Sequence, residues 1–170
     1  VAMITELARW IKQSGLKGNN YMFIAFSGEE LGLWGSTYFM QNPTIADANI
    51  NYMINLDMVG RLNNEKTLAV HGIGTSPVWK RNLKKANKDK INYLFSASGI
   101  GPSDHTQFYL KNIPVLHFFT GQHNDYHRPS DDAGKVNFHG MVTISSLIKR
   151  LIERLDNHGK IKFKKTKDKD

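Results

Sequence analysis

Short continuous apolar runs alternate along the 170-residue chain with longer stretches in which apolar residues recur at helical spacing. A short apolar run that is closed by Gly, Pro, Asn or Ser is typical of a buried strand. Five runs meet this description and are predicted to be strands: residues 21–26, 51–59, 67–71, 91–95 and 113–119.

The stretches between these runs predict helices. In the last stretch, for example, Met141, Ile144 and Ile148 lie on one stripe of a helix. Strands that alternate with helices predict an α/β sandwich, in which one largely parallel, mixed sheet carries helices on both faces. The predicted helices are residues 1–12, 36–40, 76–88, 103–111 and 137–155, with one more helical turn at 44–48.

The length of the chain fits one domain, which we place at residues 1–158, followed by a basic and disordered tail at 159–170. No apolar run approaches the roughly 18 residues needed to cross a bilayer, and no signal or transit segment is visible. We therefore expect no membrane association.

The net charge of +8 bears on the partners of the chain, and the absence of cysteine limits its metal ligands. The basic excess lies in residues 80–90 and in the tail, without interleaved aromatic residues on which nucleic-acid bases could stack. We interpret it as solvated surface charge and expect no nucleic-acid partner. Without cysteine, only oxygen and nitrogen ligands are available to a metal.

Acidic and histidine side chains follow three of the predicted strands. Glu29 and Glu30 follow the first strand, Asp57 lies near the end of the second, and residues 125–127 follow the last. One such residue alone is more simply a helix cap or part of a solvated loop. However, the strand ends of an α/β sheet meet at one crevice, so their recurrence favours a common centre. Because neighbouring side chains diverge at a turn, one glutamate can bind a metal while the other faces its water.

Four segments give a resemblance to a known family. FSGEELGLWGS, NYMINLDMVGR, GPSDHTQFYLKNIPVLHFFTG and NDYHRPSDD, which together cover about residues 21–132, resemble the catalytic domain of co-catalytic di-zinc exopeptidases of the bacterial leucyl aminopeptidase type. The resemblance implies a secreted or periplasmic zinc aminopeptidase that removes N-terminal residues from peptides. It also implies the same α/β sandwich and two zinc ions in the complete enzyme.

The resemblance assigns a role to each residue of the centre. Glu29 would be the general base on the metal-bound water, and Glu30 would share one zinc with His127. Asp57 would bind the other zinc, and Tyr126 would stabilise the tetrahedral intermediate. These assignments agree with zinc chemistry, because zinc accepts carboxylate oxygen and imidazole nitrogen at roughly 2.0–2.2 Å.

Other residues are expected to support the ligands or to line the substrate site. One of two aspartates just after His127 is expected to orient its imidazole. His117, within a predicted buried strand, is assigned to the core or to a position behind the ligands. The supporting or lining residues are Asp104, His105, His123, Asp131 and Asp132.

The resemblance also implies two ligands that this sequence does not contain. Such enzymes carry a His-x-Asp strand end and a bridging Asp shortly before a helix like that of residues 1–12. We therefore expect a fragment that lacks the first strands, binds zinc only partially or singly, and hydrolyses peptides poorly alone. Strand loss would expose sheet surface, so self-association is a further expectation.

Two alternatives to the aminopeptidase remain open. A glutaminyl-cyclase-like acyltransferase with a single zinc shares the fold and an adjacent glutamate pair, although GEELGLWGS and NLDMVGR look more like the peptidases. A non-catalytic module that binds a partner usually loses a ligand or the base. This chain retains all four principal residues: Glu29, Glu30, Asp57 and His127.

Overall fold

A computed structural model describes residues 1–167. Nearly all the predicted elements form, with bounds that shift by a few residues. The helices are α1 (Ala2–Ser14), α2 (Trp34–Gln41), α3 (Trp79–Ala86), α4 (His105–Tyr109) and α5 (Phe138–Leu155), and two short 3-10 helices lie at Asp47–Asn49 and Ala133–Lys135. The strands are β1 (Met53–Asp57), β2 (Thr67–His71), β3 (Asn92–Phe95) and β4 (Val115–Phe119).

The four strands form one mixed sheet in the order β1-β4-β2-β3. β4 pairs in parallel with β1 and antiparallel with β2, which in turn pairs in parallel with β3. The register places Asn55, His117 and His71 side by side in one row across the sheet. This row lies directly beneath the carboxyl end of β1, where the candidate site begins.

Helices cover both faces of the sheet, which confirms the predicted α/β sandwich. α1, α3 and α5 pack on one face, where they share a core with Leu116 and Phe118 of β4. α2 and α4 pack on the other face with Val115, whose side chain points the opposite way because side chains alternate along a strand. Within residues 1–167, no helix combines the length and the hydrophobicity needed to cross a membrane.

The prediction of a strand at residues 21–26 is wrong. These residues have no regular secondary structure, and within residues 1–167 the backbone of residues 20–26 forms no hydrogen bond with other backbone. An apolar run becomes a strand only when a neighbouring strand offers partners for its amides and carbonyls. No described strand lies beside this run.

The prediction of a disordered tail is also wrong for residues 160–167. Ile161 is buried in the main core, and its amide donates to Asn51. Phe163 packs against the ring of Tyr109, and the Thr166 amide donates to the Tyr109 hydroxyl. The alternation of apolar residues with lysines places the apolar side chains against the protein. Residues 168–170 of the predicted tail lie outside the described residues.

Candidate active site

A tight turn presents Glu29 and Glu30. The amides of Leu33 and Gly35 donate to the carbonyls of Glu29 and Ser27, both at 2.9 Å, and the chain then enters α2. A Cβ atom on Gly35 would lie 2.6 Å from the Ser27 carbonyl oxygen, so the close approach of these two segments requires glycine. The turn thereby holds both carboxylates at the end of the extended run.

Glu30 and His127 meet although they are far apart in sequence. His127 Nε2 lies 2.9 Å from Glu30 Oε1, and the two side chains are 55% and 66% exposed. His127 has a left-handed backbone with φ +55°, in the loop that follows β4. The structure therefore brings together the two residues that were predicted to share a zinc ion.

Asp57 lies at the carboxyl end of β1, beside a buried histidine. Its Oδ2 atom is 3.5 Å from His117 Nε2, and the interaction with this ring lowers the pKa of Asp57. On the far side of the ring, His117 Nδ1 lies 3.2 Å from His71 Nδ1. His117 thus stands behind the predicted ligand, as its place in a buried strand indicated.

His105 is the third imidazole of this group; it stacks on His117, whereas His71 meets His117 edge-on. The His105 ring lies parallel to that of His117 with centroids 4.4 Å apart, and it has no exposed surface. Neither ring nitrogen has a hydrogen-bond partner among residues 1–167. Burial lowers the pKa of His105 to about 3, so the ring is neutral. It lies in the layer behind Asp57.

Carboxylates from several segments are close enough to influence one another. Burial raises the pKa of Glu29, and the charges of Asp57, Glu30 and Asp104 raise it further. Burial likewise raises the pKa of Asp104, whose Oδ1 atom is buried without a hydrogen-bond partner in the described chain. The pKa of Tyr126 is raised by burial and by the charges of Glu30, Asp57 and Glu29. This concentration of negative charge favours a bound cation or a retained proton.

Ser103 is a member of the site that sequence reasoning missed. Its hydroxyl accepts a hydrogen bond from the Asn55 side chain at 2.7 Å. Hydrogen bonding by the same residue lowers the pKa values of Glu29 and Asp57. Ser103 lies between Pro102 and Asp104, and nothing in this local pattern shows that it reaches two other segments.

Arg61 fixes the loop that carries Tyr126 and His127. Its guanidinium contacts both Asp131 and Asp125, the latter at 3.2 Å. Asp125 also accepts hydrogen bonds from Ser130 and Lys135. These interactions, with Lys135 the largest, lower the pKa of Asp125 to about 2. No local pattern indicates this network, because Arg61 lies more than 60 positions before its partners.

This network corrects the expectation that an aspartate orients His127. Asp131 pairs with Arg61, and its second oxygen lies 3.8 Å from His123 Nε2. Asp132 accepts from the amide of Gly134 at 2.9 Å, where it begins a 3-10 helix. Both carboxylates are engaged within the loop instead. His123 lies in the same loop with its ring edge towards Tyr126, and its contact with substrate stays a prediction.

The donor types at this site fit zinc, which favours carboxylate oxygen and imidazole nitrogen. Glu30 and His127 already touch, and Asp57 lies at the neighbouring strand end. Within the described part of the chain, however, no three His, Asp or Glu residues form a group that could hold a metal ion. The donor atoms therefore suit zinc, and Glu30 and His127 lie close enough to share an ion. The described residues do not bring a third ligand into the same group.

Comparison with known proteins places this arrangement in a family. Residues 1–152 match the profile of Peptidase family M28. The chain belongs to this family. Aminopeptidase YwaD of Bacillus subtilis (strain 168) is 30% identical over 142 residues, which are 76% of this chain and 30% of YwaD. The resemblance to zinc exopeptidases is thereby confirmed.

Solved structures support the same fold. The LapA aminopeptidase of Legionella pneumophila is 26% identical with a TM-score of 0.73, over 91% of this chain and 44% of LapA. BSAP, a zinc aminopeptidase from Bacillus subtilis, is 25% identical with a TM-score of 0.63, over 85% and 36%. The chain thus spans less than half the length of these relatives.

One further structure bears on the acyltransferase alternative. A Bacteroides thetaiotaomicron glutaminyl cyclase is 20% identical with a TM-score of 0.64, over 88% of this chain and 59% of the cyclase. At this identity the likeness shows a shared fold alone.

Proposed function

We propose that the whole protein is a zinc-dependent aminopeptidase that hydrolyses the N-terminal residue from peptides. The observation that carries the proposal is the contact between Glu30 and His127, with Glu29 and Asp57 in electrostatic reach, in a chain of family M28. YwaD and LapA, the relatives compared above, are aminopeptidases, and BSAP is a zinc aminopeptidase.

Glu30 and His127 would hold one zinc ion, and Asp57 would hold a second. Bound zinc polarises a scissile carbonyl and lowers the pKa of water. Glu29 accepts the proton of the attacking water on its carboxylate and returns it to the leaving amine. The raised pKa of Glu29 supports this role, because a base whose pKa is closer to the working pH both takes and returns a proton.

Two further features support action at a free N-terminus. The carboxylate cluster creates a negative potential that attracts a protonated α-amine. The raised pKa of Tyr126 keeps its phenol protonated at neutral pH, so it can donate a hydrogen bond to the developing oxyanion. Peptides are therefore the proposed substrates, with an extracellular or periplasmic location that cell fractionation would test.

The test is an assay of the whole protein with amino-acid p-nitroanilides beside peptides that begin with glutamine. We expect release of p-nitroaniline that a chelator abolishes and added zinc restores. Cyclisation of the glutaminyl peptides without hydrolysis would favour the acyltransferase. Zinc-independent binding of peptides without turnover would favour the non-catalytic module.

A further inference from the structure

A single hydrogen bond joins two of the three histidine rings behind Asp57. His71 of β2 and His117 of β4 face each other across the sheet as register partners, and their Nδ1 atoms lie 3.2 Å apart. The His117 ring is buried, and its Nε2 atom has no hydrogen-bond partner among residues 1–167. His71 therefore supplies the one hydrogen bond that this ring makes within the described chain.

Stacking fixes the plane of the His117 ring. The His105 ring lies 4.4 Å away at an interplanar angle of 20°. A histidine ring that turns by 180° about its Cβ–Cγ bond stays in the same plane, while its nitrogen and carbon atoms exchange places. In the turned orientation a C–H group would face Asp57 where Nε2 stands now. Stacking alone therefore does not select the orientation in which a nitrogen atom faces the carboxylate.

The charge of Asp57 sets the direction of the hydrogen bond between His71 and His117. Burial lowers the pKa of His71, so its ring is neutral at pH 8 and carries one N–H group. If a neutral His117 donated from Nδ1, its bare Nε2 atom would face Asp57 Oδ2 at 3.5 Å, and two acceptors would meet. If His71 donates instead, His117 keeps its proton on Nε2, where the carboxylate attracts it.

We propose that His71 is a positioning residue for Asp57. Its Nδ1–H group donates to His117 Nδ1 and thereby selects the ring orientation in which the Nε2–H group of His117 points to Asp57 Oδ2. The separation of 3.5 Å between Nε2 and Oδ2 is longer than a hydrogen bond, so this contact does not hold the ring by itself. Without the His71 donor, the buried Nδ1 atom would lack a partner, which favours turning of the ring.

The role of His71 extends to the candidate site through two side chains. Groups that hydrogen-bond to a metal ligand from behind orient it, and their loss commonly weakens metal binding by about 10–100-fold. Under the proposed function, on which this step rests, Asp57 holds the second zinc ion. His71 would then act on that ion without touching it, whereas Glu30 and His127 lie on other segments and should not respond.

Nuclear magnetic resonance of the 170-residue protein at pH 8 tests the proposal. The nitrogen-15 chemical shift of each ring nitrogen shows whether it carries a proton, and pH 8 lies above the ordinary imidazole pKa of about 6.5. We expect His117 to be protonated on Nε2 alone and His71 on Nδ1 alone. The opposite pattern, or a His117 ring protonated on both nitrogens, would overturn the proposal before any residue is changed.

Two variants test whether the donor holds the ring. His71→Leu removes the donor, whereas His71→Asn, the matched control, keeps an N–H group near the place of Nδ1. With leucine we expect the His117 Nε2–H proton to exchange with solvent at least about tenfold faster, and the Hε1 proton to show a nuclear Overhauser contact with Asp57. With asparagine neither should change. One unaltered ring orientation in His71→Leu, or equal loss of orientation in both variants, would contradict the proposal.

Zinc titration of the whole protein measures the consequence for the site. His71→Leu should weaken binding of the second zinc ion by about 10–100-fold and leave the first unchanged, while His71→Asn should stay close to the parent. Equal weakening of both ions, or no weakening in His71→Leu, would overturn the role of His71 towards Asp57. A whole protein that binds no second zinc ion would count against the proposed function, and the ring spectra would still decide the positioning role.

Discussion

Two apolar runs of this protein, residues 21–26 and β4, have similar composition and different fates. β4 has a strand on each side, and Phe118 within it is fully buried. In the other run Met22 and Phe23 remain 48% and 37% exposed, and the backbone is unpaired among the described residues. The comparison teaches that apolar composition predicts burial, whereas strand formation needs partners on the edges of the run.

The candidate site also has a paired and an unpaired side. The paired side is the part attached to the strands β1 and β4. It carries Asp57, which contacts His117, and the loop of His127, which Arg61 holds through two aspartates. The unpaired run carries the two glutamates and is fixed at its ends. Asp156 holds its start through Tyr21, and the tight turn before α2 holds its finish.

The largest effect is expected from Glu29→Gln, at the end of the unpaired run. In the whole protein this change should lower kcat by roughly 10²–10⁴-fold, because it removes the proton acceptor and keeps the shape of the side chain. Zinc content should not change. Steady-state kinetics with an amino-acid p-nitroanilide, together with metal analysis, provide the measurement.

The matched control for this change is Glu153→Gln, on the exposed face of α5. Its kcat should equal that of the unchanged protein. A Glu29→Gln variant that turns over at the normal rate would show that Glu29 is not the general base. The unpaired run would then have no catalytic residue.

A second pair of variants compares the two runs in stability. Phe118→Ala should lower the free energy of unfolding by about 3–5 kcal/mol, because it leaves a cavity in the packed core. Phe23→Ala, where the side chain is partly exposed beside an existing cavity, should cost about 1 kcal/mol or less. Urea denaturation measures both; equal losses would mean that the two runs are packed alike.

Asp156 tests how the unpaired run is anchored. Its carboxylate accepts hydrogen bonds from the Tyr21 hydroxyl at 2.7 Å and from the amides of Lys17 and Gly18. Asp156→Asn should cost about 2–3 kcal/mol near pH 6, because its NH₂ group replaces one carboxylate oxygen and cannot accept the hydrogen bonds made to that oxygen. Asp132→Asn, an exposed aspartate with one backbone partner, is the control.

The cost of Asp156→Asn should depend on pH. The Tyr21 hydroxyl, followed by the amides, lowers the pKa of Asp156 below its ordinary value of 3.8. The unfolded chain therefore binds the proton first, and the stabilisation is complete above about pH 5 and lost as pH falls through the folded pKa. Urea titrations at pH 6 and pH 3 should show the difference between variant and parent shrinking; a constant difference would contradict the anchor.

The smallest effect is expected in the loop on the paired side. Arg61→Ala should speed amide exchange in residues 123–132 several-fold, because the loop loses its link to the segment after β1. Arg128→Ala removes an exposed arginine of the same loop whose side chain forms no ion pair within residues 1–167. Identical exchange in the two variants would show that Arg61 does not hold the loop.

Much of the fold could be predicted from the sequence because the signals are local. The strand β2 was predicted with its observed bounds, since Gly72 and the turn before Thr67 limit a short apolar run. α5 was predicted because its apolar stripe spans five turns, and in the structure Asn137 caps it by accepting from the Gly140 amide. The prediction for residues 21–26 was wrong because edge pairing is not a local property.

The principal residues of the candidate site could be predicted from the sequence. The residues that hold them in place could not. Glu29, Glu30, Asp57 and His127 each follow a recognisable segment, and two of them are in direct contact. The roles of Arg61 and Ser103 depend on partners tens of residues away, which no spacing rule indicates. The expected aspartate contact with His127 was wrong because Arg61 and a backbone amide engage those carboxylates.

The central claim is that the site has the residues of a zinc peptidase but does not bring three metal ligands together within the described chain. Calorimetric titration of zinc into the 170-residue protein tests this claim most directly. We expect weak binding of at most one zinc per chain. Glu30→Gln and His127→Gln should each abolish it, while His158→Gln, on an exposed histidine after α5, should not. Two tight zinc sites in this chain, or binding that survives both changes, would contradict the account.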